Sequence, residues 1–296
     1  MSGICGIIDL TGAALNPVQI RRMTDVLERR GPEGTHIWQD GAVAFGHTLL
    51  ATTPEALHEK QPFTHIETGC VITADLRLDN RDELLTALGL AAQKRIIGDA
   101  EIALHVYLKW GEDCPRHLLG DFALAIWDPR AGRLFCVRDP MGMKQLIYCH
   151  IPGRLFAFAT EPRAVLEAEG VPRRINELRI ADYLGGGLEA VDATSTFFEQ
   201  VYRMPPAHIM AVGHEGMTQR RYWRLKAGPE LKLASDRDYA EAFLEVFTKA
   251  VSVRLRAPAG TVGSMLSGGM DSGSIVAIAC RLFADEGRGP LPTFSG

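Results

Sequence analysis

Apolar positions recur along this chain with two periods, and the change from one to the other marks out its elements. Gly3 to Leu10 is a short apolar run closed by Thr11 and Gly12, and it predicts a strand. Val18 to Arg29 carries Ile20, Met23, Val26 and Leu27 at helical spacing, with Asn16 placed to cap the helix and Pro17 in its first turn. Gly31 and Pro32 stop it. Val43 to Leu50 and Cys70 to Leu78 return to a strand-like pattern. Asn80 then predicts a capped helix through Leu88, and Asp99 opens a second helix that runs to about Trp110. Four strand-like runs follow: Phe122 to Trp127, Leu134 to Arg138, Leu146 to His150 and Leu155 to Ala159. Asp-Pro and Pro-Gly steps punctuate them, as antiparallel hairpins require. A block of strands with helices before and after it is an α+β signature.

A second organisation begins further on. Lys226 to Asp236 is a linker by composition. Beyond it the pattern predicts a helix over Tyr239 to Leu255, a buried strand over Thr261 to Leu266 and a helix over Gly273 to Phe283. The domain boundaries that follow are 1–225, a linker 226–236, and 237–296. Gly185 to Gly187 has no strand before it and is expected to be a flexible turn. Composition narrows the class: 46% of residues are hydrophobic and 23% charged, as in globular proteins. The net charge of −4 and the lack of a Lys/Arg cluster argue against nucleic acid as a partner. Arg21, Arg22, Arg29 and Arg30 exclude a signal peptide, and no apolar run approaches the roughly 20 residues that span a bilayer. The six cysteines form no C-x-x-C pair, so a reducing cytoplasm is the expected setting. The histidines show no H-x-x-x-H or H-E-x-x-H spacing, and no G-x-S-x-G elbow is present.

The segment Val262-Gly-Ser-Met-Leu-Ser-Gly-Gly-Met-Asp-Ser272 runs from apolar strand through a glycine turn into a helix. Gly268 and Gly269 let the backbone approach an anion, and the N–H groups of a helix start point at it. Ser267 and Ser272 add hydroxyl donors, and Asp271 is placed to hold a magnesium ion or to orient the loop. No lysine follows the glycines, so this is not the G-x-x-x-x-G-K-[S/T] cradle. S-G-G-x-D-S resembles the loop of ATP pyrophosphatases, which split ATP into AMP and pyrophosphate while adenylating a carboxylate.

The first 225 residues or so resemble the class II glutamine amidotransferase domain of the asparagine synthetase family. The matching segments are Arg30-Gly-Pro-Glu33, Arg77-Leu-Asp-Asn80, Gly98-Asp-Ala-Glu101, Gly120 to Asp128, Arg138-Asp-Pro-Met-Gly142, Phe158-Ala-Thr-Glu161 and Arg203-Met-Pro-Pro-Ala-His208. Their order, followed by S-G-G-M-D-S, carries the resemblance. It implies an N-terminal-nucleophile-type αββα sandwich of two antiparallel sheets, followed by the first part of an α/β, Rossmann-like ATP-pyrophosphatase domain. It also implies ATP and magnesium as cofactors, with Leu266, Ser267, Gly268, Gly269, Asp271, Ser272 and Ser295 on the ATP.

Active members of the family start Met-Cys-Gly-Ile, and the cysteine, once Met is removed, is a nucleophile with its own amine as base. That amine titrates near ~7.7–8.0. Here Ser2 stands at the nucleophile position and Cys5 three residues later. Either Cys5 becomes N-terminal after loss of Met1 to Ile4, or it is a buried strand residue. Gly6-Ile-Ile fits the family frame without a shift and favours burial. A serine hydroxyl is a far poorer nucleophile than a thiolate. Leu49 stands where the family has the arginine for the glutamine carboxylate, and Asp75 where it has an oxyanion-hole asparagine, with a charge that opposes an oxyanion. Leu76 replaces a glycine that leaves space for substrate, while Asp99, which would hold the glutamine ammonium, is retained.

The resemblance thus implies an ATP-dependent amide-forming ligase whose glutaminase activity is lost, as in lasso-peptide cyclases and β-lactam synthetases. Its partners would be a small-molecule or peptide carboxylate and either ammonia or a substrate amine, and a homodimer stays open. A glutamine-hydrolysing asparagine synthase and a non-catalytic amidotransferase-fold scaffold are the alternatives. The family's S-G-E-G-x-D-E-type segment is not within residues 1–296. The expectation is therefore a fragment, or a protein completed by a separate chain, that does not finish the reaction alone.

Overall fold

The computed structural model describes residues 1–186, 192–258 and 262–295. The chain divides into two compact units, one of Met1–Ala51 with Glu55–Arg224, the other of Thr52–Pro54 with Leu225–Gly296. The first unit opens with β1 (Gly3–Asp9), α1 (Pro17–Asp25), β2 (Thr35–Asp40), β3 (Val43–Thr48), β4 (Phe63–Thr64) and β5 (Val71–Leu78). It continues with α2 (Arg81–Ala87), α3 (Asp99–Trp110), β6 (Gly120–Asp128), β7 (Arg133–Arg138), β8 (Ile147–Ile151) and β9 (Leu155–Ala159). It closes with α4 (Pro162–Val165), α5 (Glu177–Leu184), β10 (Tyr202–Arg203), β11 (His208–Gly213) and β12 (Gly216–Arg221).

These strands form two six-stranded sheets, in the orders β10-β8-β9-β1-β3-β2 and β12-β11-β7-β6-β5-β4. Every pairing in them is antiparallel. Strand alternation sorts the side chains into layers. Ile4 and Ile8 of β1, Phe45 of β3, Ala123 and Ala125 of β6 and Phe156 of β9 fill the space between the sheets. Cys5 and Ile7, the alternate residues of β1, pack outward on Ile20 and Met23 of α1 and on Ala164 and Val165 of α4. Ile72, Ala74 and Leu78 of β5 pack outward on Ala100, Ile102 and Leu104 of α3. The result is the four-layered helix–sheet–sheet–helix sandwich that the resemblance implied.

Several local expectations change. The first helix ends at Asp25, and a separate 3-10 turn, Glu28–Arg30, follows. Asn16 does cap it, accepting the Val18 N–H at 3.0 Å. Asn80 precedes α2 but makes no side-chain cap. Its amide instead accepts Leu119 N–H at 3.0 Å and donates to the His117 carbonyl at 2.9 Å, tying α2 to the chain that enters β6. β2, β4 and β10 to β12 do not stand out in the sequence pattern. Gly185 follows a helix, α5, and Gly187 lies outside the described residues.

The second unit contains α6 (Asp236–Arg254), β13 (Ser264–Met265), α7 (Met270–Asp285) and β14 (Thr293–Phe294). Ser235 caps α6 through the Asp238 N–H at 3.3 Å. β13 and β14 pair in parallel, Ser264 opposite Thr293 and Met265 opposite Phe294. The strand expected over Thr261 to Leu266 is shorter and not buried: Met265 is 71% exposed, and Thr261 lies outside the described residues. Its ladder is only two residues long and has no third strand beside it. Val251, Ala279, Phe283 and Leu291 form this unit's small core. Among the described residues no helix is long and apolar enough to cross a membrane.

Candidate active site

β1 delivers Ser2 to the end of the sandwich, where it is buried. Its hydroxyl accepts the Leu50 N–H at 3.0 Å and lies 3.4 Å from the Leu50 carbonyl. Both lone pair and proton are thus engaged with main chain. Burial lowers the pKa of the Met1 α-amine, against the pull of nearby Asp75. Cys5 is fully buried, 3.4 Å from the Thr24 hydroxyl, and burial pushes its thiol up to about 12. A thiol so placed is a packing residue.

Leu49 is half-buried and bridges to Pro32. The Glu33 N–H meets the Leu49 carbonyl at 3.1 Å, and the Leu49 N–H meets the Gly34 carbonyl at 2.8 Å. This contact explains Arg30-Gly-Pro-Glu33. A Cβ on Gly31 would lie 2.1 Å from the Thr48 carbonyl carbon, so only glycine lets the segment dock on the end of β3. Arg30 Nε then donates to Glu161 at 2.5 Å, joining two of the matching segments.

Asp75 faces the space between the sheets and is buried. Its charge, expected to oppose an oxyanion, is already neutralised: Lys144 Nζ donates to Oδ1 at 2.9 Å. Lys144 was not among the residues singled out from sequence. It is carried inward by a tightly built loop. Arg138 Nε, Nη1 and Nη2 donate to the carbonyls of Lys144, Met204 and Gly142 at 2.6, 2.5 and 2.7 Å. The Asp139 carboxylate accepts the N–H groups of Met141, Met143 and Lys144 at 3.1, 2.9 and 3.0 Å. Leu76 points the other way: it packs on the β5–α3 cluster, so its side chain does not fill the space beside Asp75. His47 lies on the same inner face of β3 as Phe45, and burial pushes its imidazole down to about 4. It is therefore neutral at pH 7.

Asp99, the first residue of α3, is buried and engaged. Its Oδ2 accepts the Leu78 N–H at 2.9 Å, and its Oδ1 accepts Arg81 Nη1 at 2.7 Å. Beside it, Glu59 Oε1 accepts the Ala100 N–H at 2.7 Å. Burial, with the neighbouring Asp99 charge adding to it, pushes the Glu59 carboxyl up to about 7. Two residues on, Gln61 Oε1 accepts the Ala74 N–H at 2.6 Å. One loop thus braces the strand of Asp75 and the helix of Asp99. Because the folded chain holds the Glu59 proton more tightly than the unfolded chain, this group's stabilisation is full below its ordinary value of 4.5 and is lost as pH rises through about 7. Glu59→Gln should remove that part of the slope: in melts from pH 4.5 to 7, wild type loses stability relative to the variant. Parallel curves would contradict the assignment.

In the second unit the glycine turn precedes α7 as expected. Gly268 has φ +78°, a conformation that suits glycine, and no heavy atom within 4 Å of an added Cβ. Ser267 Oγ and Ser272 Oγ are 3.0 Å apart, and Ser272 Oγ accepts the Ser267 N–H at 3.2 Å, so the loop is closed on itself. Asp271 is exposed in the first turn of α7. Leu266 donates its N–H to the Phe294 carbonyl at 2.8 Å, which sets the exposed Ser295 at the end of the neighbouring strand. Among the described residues no group of three or more His, Cys, Asp or Glu could hold a metal ion.

Fold and site together define an amidotransferase-type sandwich followed by a second unit in which a glycine turn precedes a helix. A family model described as a glutamine amidotransferase domain matches residues 1–223, and one described as asparagine synthase matches residues 242–296. Over 298 residues the chain is 32% identical to asparagine synthetase [glutamine-hydrolyzing] 3 of Bacillus subtilis, covering 100% of this chain and 48% of that protein. It is 27% identical to asparagine synthetase [glutamine-hydrolyzing] 2 of the same organism, covering 95% of this chain and 39% of that protein. A solved glutamine phosphoribosylpyrophosphate amidotransferase from B. subtilis, in complex with ADP and GMP, superposes with a TM-score of 0.51 at 15% identity. That match covers 99% of this chain and 65% of the other and shows the fold alone. The chain belongs to the asparagine synthetase family, with a glutamine amidotransferase domain in front of the start of an asparagine synthase domain. It spans about half the length of the curated relatives it matches.

Proposed function

We propose that the protein containing this chain is an ATP-dependent, carboxylate-adenylating amide ligase that releases AMP and pyrophosphate and no longer hydrolyses glutamine. The observation that carries the ligase part is the closed Ser267–Ser272 turn at the start of a 16-residue helix. The first N–H groups of such a helix have no intrahelical partner, and the helix dipole favours an anion there. Ser267, Gly268, Gly269 and Ser272 would hold the pyrophosphate end of ATP, and Leu266 and Ser295 directly follow β13 and β14 beside it. Asp271 would hold the magnesium ion that comes with the phosphates. That ion would neutralise charge on the departing pyrophosphate. A small-molecule or peptide carboxylate is the acceptor class, and ammonia or an amine of the substrate is the nucleophile.

The glutamine part rests on Ser2 and its surroundings. The nucleophile position holds a hydroxyl engaged with Leu50, and the oxyanion position holds a carboxylate already paired with Lys144. ATP–pyrophosphate exchange by the full-length protein tests the ligase reading. Exchange is expected in the presence of the acceptor, and Asp271→Ala should lower it at least about tenfold. Undiminished exchange in that variant would remove Asp271 from the site.

A further inference from the structure

At the end of the sandwich opposite Ser2, the two sheets part around a cavity of about 320 Å³. β1 runs from one end to the other: Ser2 precedes it and Asp9 closes it, about 20 Å away for a strand of this length. Strand register builds the cavity. Ile8 stands opposite Val43, and Val43 opposite Asp40, so the three form one row across β1, β3 and β2. Residues opposed on neighbouring strands lie on the same face of a sheet. Ile8 and Val43 face the space between the sheets, which puts the Asp40 carboxylate on that inner face as well. The second sheet supplies its own last row, Trp127, Leu134 and Val212, also on the inner side. Ile8, Val43, Trp127 and Val212 line the cavity, with Asp9 and Asp40 beside them.

The Asp9 N–H donates to the Ala42 carbonyl at 2.9 Å and so holds the end of β1 against the turn between β2 and β3. Asp9 Oδ1 accepts the N–H and the hydroxyl of Thr11, at 2.8 and 2.6 Å. The Asp40 carboxylate makes no hydrogen bond or ion pair among the described residues. No lysine or arginine lines the cavity, and His214 is its one other titratable side chain.

The lining therefore combines apolar walls, one indole, two carboxylates and no permanently basic side chain. A carboxylate turned toward apolar surface is satisfied by water, or by a cation that brings an apolar body with it. An indole face adds attraction for that cation. The volume is in the range of small-molecule sites. A divalent metal suits the cavity less well, because no group of three or more His, Cys, Asp or Glu among the described residues could hold one.

We propose that this cavity is a binding site for a small organic cation, an amine carried on an apolar or aromatic body. The ammonium sits at Asp40 and Asp9, and the body sits between the rows of Val43 and Trp127. The site stands apart from Ser2 and does not depend on the proposed function.

Titration of the chain with phenethylamine tests it, followed in proton–nitrogen correlation spectra through the indole N–H resonances of the four tryptophans. A saturable shift is expected, largest at Trp127, with a Kd of about 5 mM or below. Phenethyl alcohol has the same body and no charge, and it should bind at least about fivefold more weakly. Asp40→Asn should weaken the amine by a similar factor, the upper range for a partly exposed ion pair. Asp40 is exposed, so its replacement leaves the fold intact, and the alcohol needs no variant at all. Four outcomes would each overturn the proposal: no saturation up to about 20 mM, equal binding of amine and alcohol, undiminished binding in Asp40→Asn, or a shift largest at another tryptophan.

Discussion

Lys144→Met should destabilise the first unit by about 3–5 kcal/mol, a large share of what a domain of this size has. The loss comes from Asp75. Without Lys144, that carboxylate stays between the sheets with Oδ1 unpaired, and Oδ2 has no hydrogen-bond partner among the described residues. Methionine nearly matches the lysine stem in volume, so the change isolates the charge. The double variant Asp75→Asn/Lys144→Met should recover most of the loss, since an amide needs no counter-ion. Urea unfolding followed by tryptophan fluorescence measures this unit selectively: Trp38, Trp110, Trp127 and Trp223 all lie within it. A shift below about 1 kcal/mol would mean that the pair behaves as a solvated surface bridge.

Arg138→Met should have a comparable effect, about 3–5 kcal/mol, by a different route. The guanidinium is buried and serves three carbonyls at once. Its removal leaves those carbonyls without their donors, at about 1–3 kcal/mol each before the methionine packs in its place. The same change dissolves the support under Lys144. Arg138→Met and Lys144→Met should therefore not add: the double variant should lie at least about 1 kcal/mol above the sum of the singles in stability. Strict additivity in the same urea experiment would show that the loop and the Lys144–Asp75 pair are independent.

Much of the fold was legible because its central strands are buried and alternate cleanly. β1, β3, β5 and β6 to β9 carry apolar residues that belong to one layer or the other, and the alternation survives in sequence. The strands that escaped notice lie at or near the sheet edges. β2 (THIWQD) and β12 (GMTQRR) are largely exposed, so selection on burial leaves no pattern in them. Asn80 misled for a chemical reason. Its side chain could cap a helix or bridge two loops, and the tertiary bonds to His117 and Leu119 prevailed.

The candidate site was legible in outline only. Ser2, Asp75 and Asp99 stood out by their positions in recognisable segments, and Ser267 to Ser272 by their spacing. Lys144 and Arg81 did not, because each pairs with a partner 69 or 18 residues away and leaves no local signature. A signal did exist. The alternation of β5 puts Asp75 on the inner face, and an inward carboxylate requires a cation. Arg138-Asp-Pro-Met-Gly142, taken two residues further, would have reached Lys144.

Ammonia release from glutamine by the purified chain bears most directly on the loss of glutamine hydrolysis proposed from Ser2 and the Lys144-paired Asp75. No release above background is expected, whereas turnover of about 1 per second or faster, ordinary for an enzyme, would contradict it.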